Sequence, residues 1–325
     1  MLFLHILLLT AGFGALIKGA GWFVDGSSSL AKNFKVPSLI IGLTIVALGT
    51  SAPELAVSLS AALQGSNEIA LSNVVGSNIF NLLCVLGICA VIHTVPVDKS
   101  VIRRDFPLSI AATLLLLLMT GADAIRTGRF WQLAMDDNAG TVSRFTGTVL
   151  LAVFLAYLLY LIADARKHPA DEKTENCLPV WKCALLIAAG LAFIIGGGQA
   201  VVYGAKEIAN TMGMSETLIG LTVVAVGTSL PELVTSVVAA RKGETELAIG
   251  NVIGSNLFNV LLILGASAAI HPVAVNAASV YDLVILLAGS VIAFLFSFSR
   301  ESVRRAEGIV MVSLYFADIL FAAMR

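Results

Sequence analysis

Two short segments place carboxylates where carboxylates are costly: GTSAPE at 49–54 and GTSLPE at 227–232. Each sets two hydroxyls, a proline and a glutamate inside an otherwise apolar run. Pro53 removes a backbone donor and releases a carbonyl about one turn earlier, near Leu48 and Gly49. The Gly-Thr-Ser ahead of it permits local unwinding. The expected product is a kinked helix with backbone oxygens, two hydroxyls and a carboxylate at one level, an oxygen cage for a hard cation. A second pair, GSNIFN at 76–81 and GSNLFN at 254–259, adds Ser77 with Asn81 and Ser255 with Asn259, each spaced to share a helix face. The pooled candidates are Thr50, Ser51, Glu54, Ser77, Asn81, Thr228, Ser229, Glu232, Ser255 and Asn259. No His or Cys belongs to the set, which suits Ca2+, Na+ or Mg2+ rather than Zn2+ or Cu. Two carboxylates among many neutral oxygens favour Ca2+ over Mg2+, and they also neutralise Na+ ions, one or more at a time.

These groups need elements that hold them in hydrocarbon. The chain of 325 residues is 58% hydrophobic and 13% charged, where a soluble domain is about a quarter charged. Continuous runs such as ATLLLLL at 112–118 exclude the alternating strands of a β-barrel. The expected class is an all-α integral membrane protein, with ten transmembrane helices over 2–31, 38–64, 68–92, 105–121, 146–163, 179–209, 216–241, 246–270, 280–298 and 306–324. MLFLHILLLTAGFG lacks the basic start and cleavage pattern of a signal peptide and reads as the first span. The longest polar stretches, 122–145 and 164–176, are too short to fold alone. Net charge is −1, which gives no sign of nucleic-acid binding. Cys84, Cys89, Cys177 and Cys183 lack ligand spacing with histidines and read as packing residues or a reduced pair. No nucleophile–base set of an enzyme is present, no cofactor is implied and no obligatory protein partner is evident.

Basic residues set the orientation, because short cytoplasmic loops are rich in Lys and Arg. Alternate loops with their flanking helix ends hold 14 Lys and Arg on one side and 5 on the other, with Lys18 inside the first helix. Both termini are therefore expected outside the cytoplasm, in a multi-pass plasma (inner) membrane protein whose loop 122–145 is external.

Residues 38–87 align without a gap on 216–265, a shift of 178, with 28 of 50 positions identical. Five helices per half is odd, so the second copy crosses the bilayer upside down. The loop charge follows the membrane side: Leu63 and Gln64 correspond to Arg241 and Lys242. The expected organisation is 1–163 as a first five-helix repeat, 164–178 as a short cytoplasmic linker and 179–325 as a second, inverted repeat. Inverted repeats with ions held near the midplane at their interface mark transporters. A carboxylate at a helix centre costs about 2.5–3.5 kcal/mol, so Glu54 and Glu232 read as functional. The bland alternative pairs a glutamate with Lys18, but the position equivalent to Lys18 is Gly196. The hydroxyls and amides could serve packing only. Asn73, Asn78, Asn251 and Asn256, also duplicated, suit helix-to-helix hydrogen bonding or site contact. Gly12, Gly14, Gly19, Gly21 and Gly196–Gly198 suit close packing or a smooth sliding surface. Asp25, Asp282 and Asp318 read as interfacial.

On these motifs the sequence resembles the cation/Ca2+ exchanger superfamily, in its prokaryotic Na+/Ca2+ exchanger branch, with paired inverted α-repeats. The resemblance implies antiport of Na+ against Ca2+ by alternating access, with helices 1 and 6 sliding across a bundle of the others. It carries the ligand role onto the ten residues above and adds the backbone oxygens of Ala47 and Ala225. Some relatives carry aspartate where Asn259 stands, including K+-dependent ones; two asparagines leave two site carboxylates and speak against K+ co-transport. The linker is too short for the regulatory Ca2+-binding domains of animal exchangers. Ca2+/H+ antiport is the alternative, since buried carboxylates also carry protons, and a passive cation channel is a further one.

Overall fold

Where water is absent, every backbone N–H and C=O has to be satisfied inside its own segment, so apolar runs fold as helix. The computed structural model describes residues 2–64, 68–126, 134–135, 137–170, 177–212 and 225–324. Its helices are α1 Leu2–Phe34, α2 Ser38–Thr50, α3 Ala52–Gln64, α4 Ala70–Ile92, α5 Phe106–Arg126, α6 Arg144–Lys167, α7 Val180–Thr211, α8 Ala225–Thr228, α9 Leu230–Arg241, α10 Thr245–Ile270, α11 Ala277–Arg300 and α12 Arg305–Met324. Among the described residues six helices are long and apolar enough to cross a bilayer, and α2 with α3, bent by 51° at a short break, makes a seventh if the pair is one span. The helix expected over 38–64 is thus two helices broken at Ser51. That over 216–241 is divided at Ser229, and residues 213–224 lie outside the described ones. The stretch 122–145 is not all loop: α5 runs on to Arg126 and a strand forms further along.

Contacts divide the chain into two compact units, each drawing segments from both halves of the sequence. The first takes Met1–Pro53 and Leu161–Gly254, the second Glu54–Tyr160 and Ser255–Arg325. In the first unit α1 and α7 lie antiparallel, backbone against backbone. A Cβ added at Gly12 would stand 2.9 Å from the Gly197 carbonyl oxygen, one at Gly190 2.7 Å from that of Gly19, one at Gly26 2.9 Å from that of Cys183, and one at Gly204 2.9 Å from that of His5. The contacts recur every seven residues, two helical turns apart on one stripe. Gly12, Gly19 and Gly197 are therefore close-packing residues, while Gly14 and Gly196 face open space. α2 crosses α10 just as closely: a Cβ at Gly250 would meet the Leu39 oxygen at 2.6 Å and one at Gly254 the Ala47 Cβ at 2.8 Å. Lys242 Nζ, just past the end of α9, donates to Asp25 Oδ1 at 2.6 Å and to the Gly21 oxygen at 3.0 Å, both within α1.

In the second unit two short antiparallel ribbons tie loops together: β1 Val95–Pro96 with β4 Ser302–Val303, and β2 Asn138–Val142 with β3 Val273–Asn276. Val95 and Val273 are equivalent under the 178-residue shift, so each ribbon joins the loop after one repeat's GSN helix to the loop before the other repeat's last helix. At the start of α5, Arg104 donates twice to Asp105, to Oδ1 at 2.7 Å and Oδ2 at 3.0 Å, and the Tyr157 hydroxyl donates to the same carboxylate at 3.0 Å. The buried charge is thus met by a forked cation and a phenol, anchoring α5 to α6. The four cysteines are free thiols.

Candidate functional site

Each GTS-x-PE motif folds as a turn, a break and a new helix. Ala47–Thr50 closes one helical turn, sealed by the Ser51 N–H donating to the Ala47 oxygen at 3.0 Å. Ser51 then takes φ −81°, ψ 7°, and its equivalent Ser229 takes φ −93°, ψ 6°. Both sit in the sparsely allowed bridge region, where the chain leaves the helix direction. The expected unwinding and kink are present in the first motif as a break at Ser51 with a 51° turn of the axis, and the prolines lie just past the breaks. They occupy the first turn of a new helix, where a missing N–H costs nothing, and Glu54 and Glu232 stand in that same first turn. A carboxylate there meets the positive end of the helix dipole. Helix-start chemistry, proline followed by an acid, was legible in the motif and points to this arrangement.

The first unit brings Ser51 to Glu232. The Ser51 hydroxyl donates to Glu232 Oε1 at 2.8 Å, and both residues are buried, with Glu232 1% exposed. Thr50, fully buried, donates to Asn251 Oδ1 at 3.0 Å, with the Val46 and Ala47 oxygens also in range. Asn251 spends its amide NH2 on Ser236 Oγ at 2.9 Å and the Glu232 backbone oxygen at 3.5 Å. Ser229 is buried and Thr228 half-buried, closing the turn that Ala225 opens. Lys18 is exposed, its ammonium 5.5 Å from the centre of the Trp22 ring.

The second unit repeats the asparagine half of this pattern around the other glutamate, whose hydroxyl donor differs. Glu54 is fully buried, and the Ser77 hydroxyl donates to its Oε1 at 3.4 Å. Asn73 donates to Ser58 Oγ at 3.0 Å and to the Glu54 backbone oxygen at 3.4 Å, the same bonds that Asn251 makes 178 residues later. Asn81, Ser255 and Asn259 are fully buried. Asn81 and Asn259 each lie one residue inside a widened π-helical stretch, Phe80–Val85 and Phe258–Leu264, which begin at equivalent positions. Such stretches re-aim side chains and recur at functional sites. Ser58 and Ser236, identical across the repeat, escaped the sequence reading; their position one turn after each glutamate was the available signal.

Asn251→Ala removes the donor to the buried Ser236 hydroxyl and one of three acceptors in range of the Thr50 hydroxyl. At about 1–3 kcal/mol for a buried group left unsatisfied, the variant is expected to lose about 1–3 kcal/mol of stability, read as a lowered thermal midpoint of the purified protein in detergent.

A family model described as sodium/calcium exchanger protein matches residues 4–163 and 182–324, omitting only the ends and the stretch around the linker. The chain belongs to the sodium/calcium exchanger family. It is 36% identical over 316 residues to a putative antiporter, CaxA, of Alkalimonas amylolytica, covering 94% of each chain. It is 30% identical over 347 residues to the sodium/calcium exchanger MaX1 of Methanosarcina acetivorans, covering 98% of this chain and 99% of that one. Among solved structures, the sodium-calcium exchanger NCX_Mj superposes with a TM-score of 0.82 at 29% identity over 100% of both chains.

As a member of this exchanger family the chain is a multi-pass membrane transporter. Among its described residues no three His, Cys, Asp or Glu side chains group as a metal centre. The exchanger's candidate ligands are instead one carboxylate per motif among hydroxyls and amides, an oxygen-only set of the chemistry that hard cations take.

Proposed function

We propose that this protein is a secondary active antiporter that exchanges Na+ for Ca2+ by alternating access. The observation that carries the reading is the duplicated glutamate, buried to within 1% in both copies and ringed by hydroxyls and amides, in a chain of the exchanger family. Thr50, Ser51, Glu54, Ser77, Asn81 and their counterparts Thr228, Ser229, Glu232, Ser255 and Asn259 hold the ions, with the backbone oxygens of Ala47 and Ala225. Ca2+ and Na+ are the substrates, and they exclude one another because either satisfies the same two negative charges. That competition is what exchange requires.

In this reading ten spans form two inverted five-helix repeats, 1–163 and 179–325, joined by the cytoplasmic linker 164–178, in the inner membrane with both termini outside the cytoplasm. The ribbons support the alternation. β1 and β4 belong to loops 3–4 and 9–10, and β2 and β3 to loops 4–5 and 8–9; each pair falls on one face.

The test is 45Ca2+ uptake into proteoliposomes loaded with Na+, beside K+-loaded and acid-loaded vesicles. Uptake is expected only under the outward Na+ gradient. Uptake under the proton gradient alone would move the coupling ion to H+, and flux indifferent to any opposing gradient would make the protein a channel.

A further inference from the structure

Four asparagines form one buried cluster in the second unit: Asn78 and Asn81 on α4, Asn256 and Asn259 on α10, each at most 1% exposed. Asn78 and Asn256 are equivalent under the 178-residue shift, as are Asn81 and Asn259. Asn78 Nδ2 donates to the Asn256 backbone oxygen at 3.1 Å, and Asn256 Nδ2 returns the bond to the Asn78 backbone oxygen at 3.3 Å. A backbone carbonyl only accepts, so this reciprocal clasp fixes both amides with their NH2 groups inward. Their side-chain oxygens are left on the far side as acceptors. At Asn78 that oxygen is used: Asn259 Nδ2 donates to it at 2.9 Å. The Asn259 amide is thereby oriented too, and its Oδ1 is buried with no hydrogen-bond partner.

The other half departs from this symmetry. Asn256 Oδ1 is buried without a partner, and so are both polar atoms of Asn81, whose NH2 is the counterpart of the one that Asn259 spends on Asn78. One ligand asparagine is locked and its twin is not.

We infer that Asn78 and Asn256 are positioning residues for the two asparagine ligands, each offering an amide oxygen that takes up the NH2 of Asn259 or Asn81 so that the oxygen end faces the cation. The inference rests on the ion-binding reading above and deepens it. The two ends of an amide are nearly equal in size and opposite in polarity. An NH2 turned toward Ca2+ repels it, and a free amide samples both orientations. An acceptor fixed behind the NH2 removes the wrong one. Asn259 is held ready through Asn78, whereas Asn81 reaches Asn256 as its oxygen takes the ion, which makes the two ligands unequal in a symmetric motif.

The experiment is equilibrium 45Ca2+ binding to the purified full-length protein, in double-mutant cycles. Asn78→Leu, Asn256→Leu, Asn81→Ala and Asn259→Ala are each expected to weaken Ca2+ binding about ten-fold, the scale of one hydrogen bond to a charged group. Asn78→Leu with Asn259→Ala should remain near ten-fold, because the acceptor matters only through that ligand. Asn78→Leu with Asn81→Ala should reach about a hundred-fold. The cycles with Asn256→Leu should show the reverse pairing. A clasp that served only to hold α4 against α10 would couple equally to both ligands, and that result, additive losses throughout, or wild-type affinity in Asn78→Leu would overturn the inference. If Asn78→Leu does not fold, the Asn256 cycles decide; failure of both to fold would show a purely structural clasp. A wild-type protein without saturable Ca2+ binding would overturn the antiport reading itself, whereas intact binding with the wrong coupling pattern overturns the positioning role alone.

Discussion

Glu54→Gln and Glu232→Gln are each expected to abolish Na+-driven Ca2+ uptake while the protein remains folded. Glutamine keeps the volume and one oxygen of the carboxylate, and that oxygen still accepts from Ser51 or Ser77. Only the charge is lost. A unit charge acting on another at about 4 Å contributes on the order of 4 kcal/mol at an effective dielectric near 20, about a thousand-fold in affinity. Both glutamates are buried to within 1%, so little water enters to screen that term. Stability should hold or rise, because a neutral amide is cheaper to bury in a membrane than a carboxylate. Equilibrium 45Ca2+ binding separates the two effects from thermal melting of the same samples. Wild-type affinity in either variant would remove that residue from the site.

Gly254→Val is expected to cost about 3 kcal/mol or more and to eliminate transport. The added Cβ alone would stand 2.8 Å from the Ala47 Cβ, from the Leu43 Cα and from the Leu43 oxygen. Two of these neighbours are backbone atoms, which cannot rotate aside, so α2 has to move off α10. Overpacking of a tight core costs typically 1–3 kcal/mol, and here the displaced helix carries Thr50 away from Asn251 and moves the Ala47 carbonyl. Gly14→Ala is the control. Gly14 faces open space on exposed α1, and alanine in a helix interior should raise stability by about 0.5–1 kcal/mol. Melting midpoints and uptake rates of the two variants check both statements; a Gly254→Val protein that transports normally would show that the crossing does not set the site.

The motifs were legible because duplication filters chance: Pro, Glu, Asn and Ser recur at a fixed shift while the apolar residues between them drift. Helix existence followed from runs too long and too apolar for any other structure. The place of the break was less legible: Pro53 announces a kink, but only the Ser51 dihedrals put it at that residue. The partners of Asn73 and Asn251 were only half legible: Ser58 and Ser236 lie one turn after each glutamate, but which asparagine reaches them depends on how a second helix packs. Nor does spacing say which glycines touch: Gly12, Gly19 and Gly26 share a seven-residue period, but their pairing with Gly197, Gly190 and Cys183 depends on the antiparallel approach of a helix more than 150 residues away.

That each compact unit draws on both halves has a consequence for biosynthesis. Ser51 waits for Glu232 across 181 residues, Asn78 for Asn256 across 178, and Thr50 for Asn251 across 201. At about 5–20 residues per second on the ribosome, the first half resides in the bilayer for roughly 10–40 s before its hydrogen-bonding partners are synthesised. During that interval it holds a carboxylate, hydroxyls and amides in hydrocarbon without the neighbours that later bury them. The nascent chain is therefore expected to be most exposed to quality-control proteases and most dependent on insertion chaperones between the synthesis of α6 and that of α10.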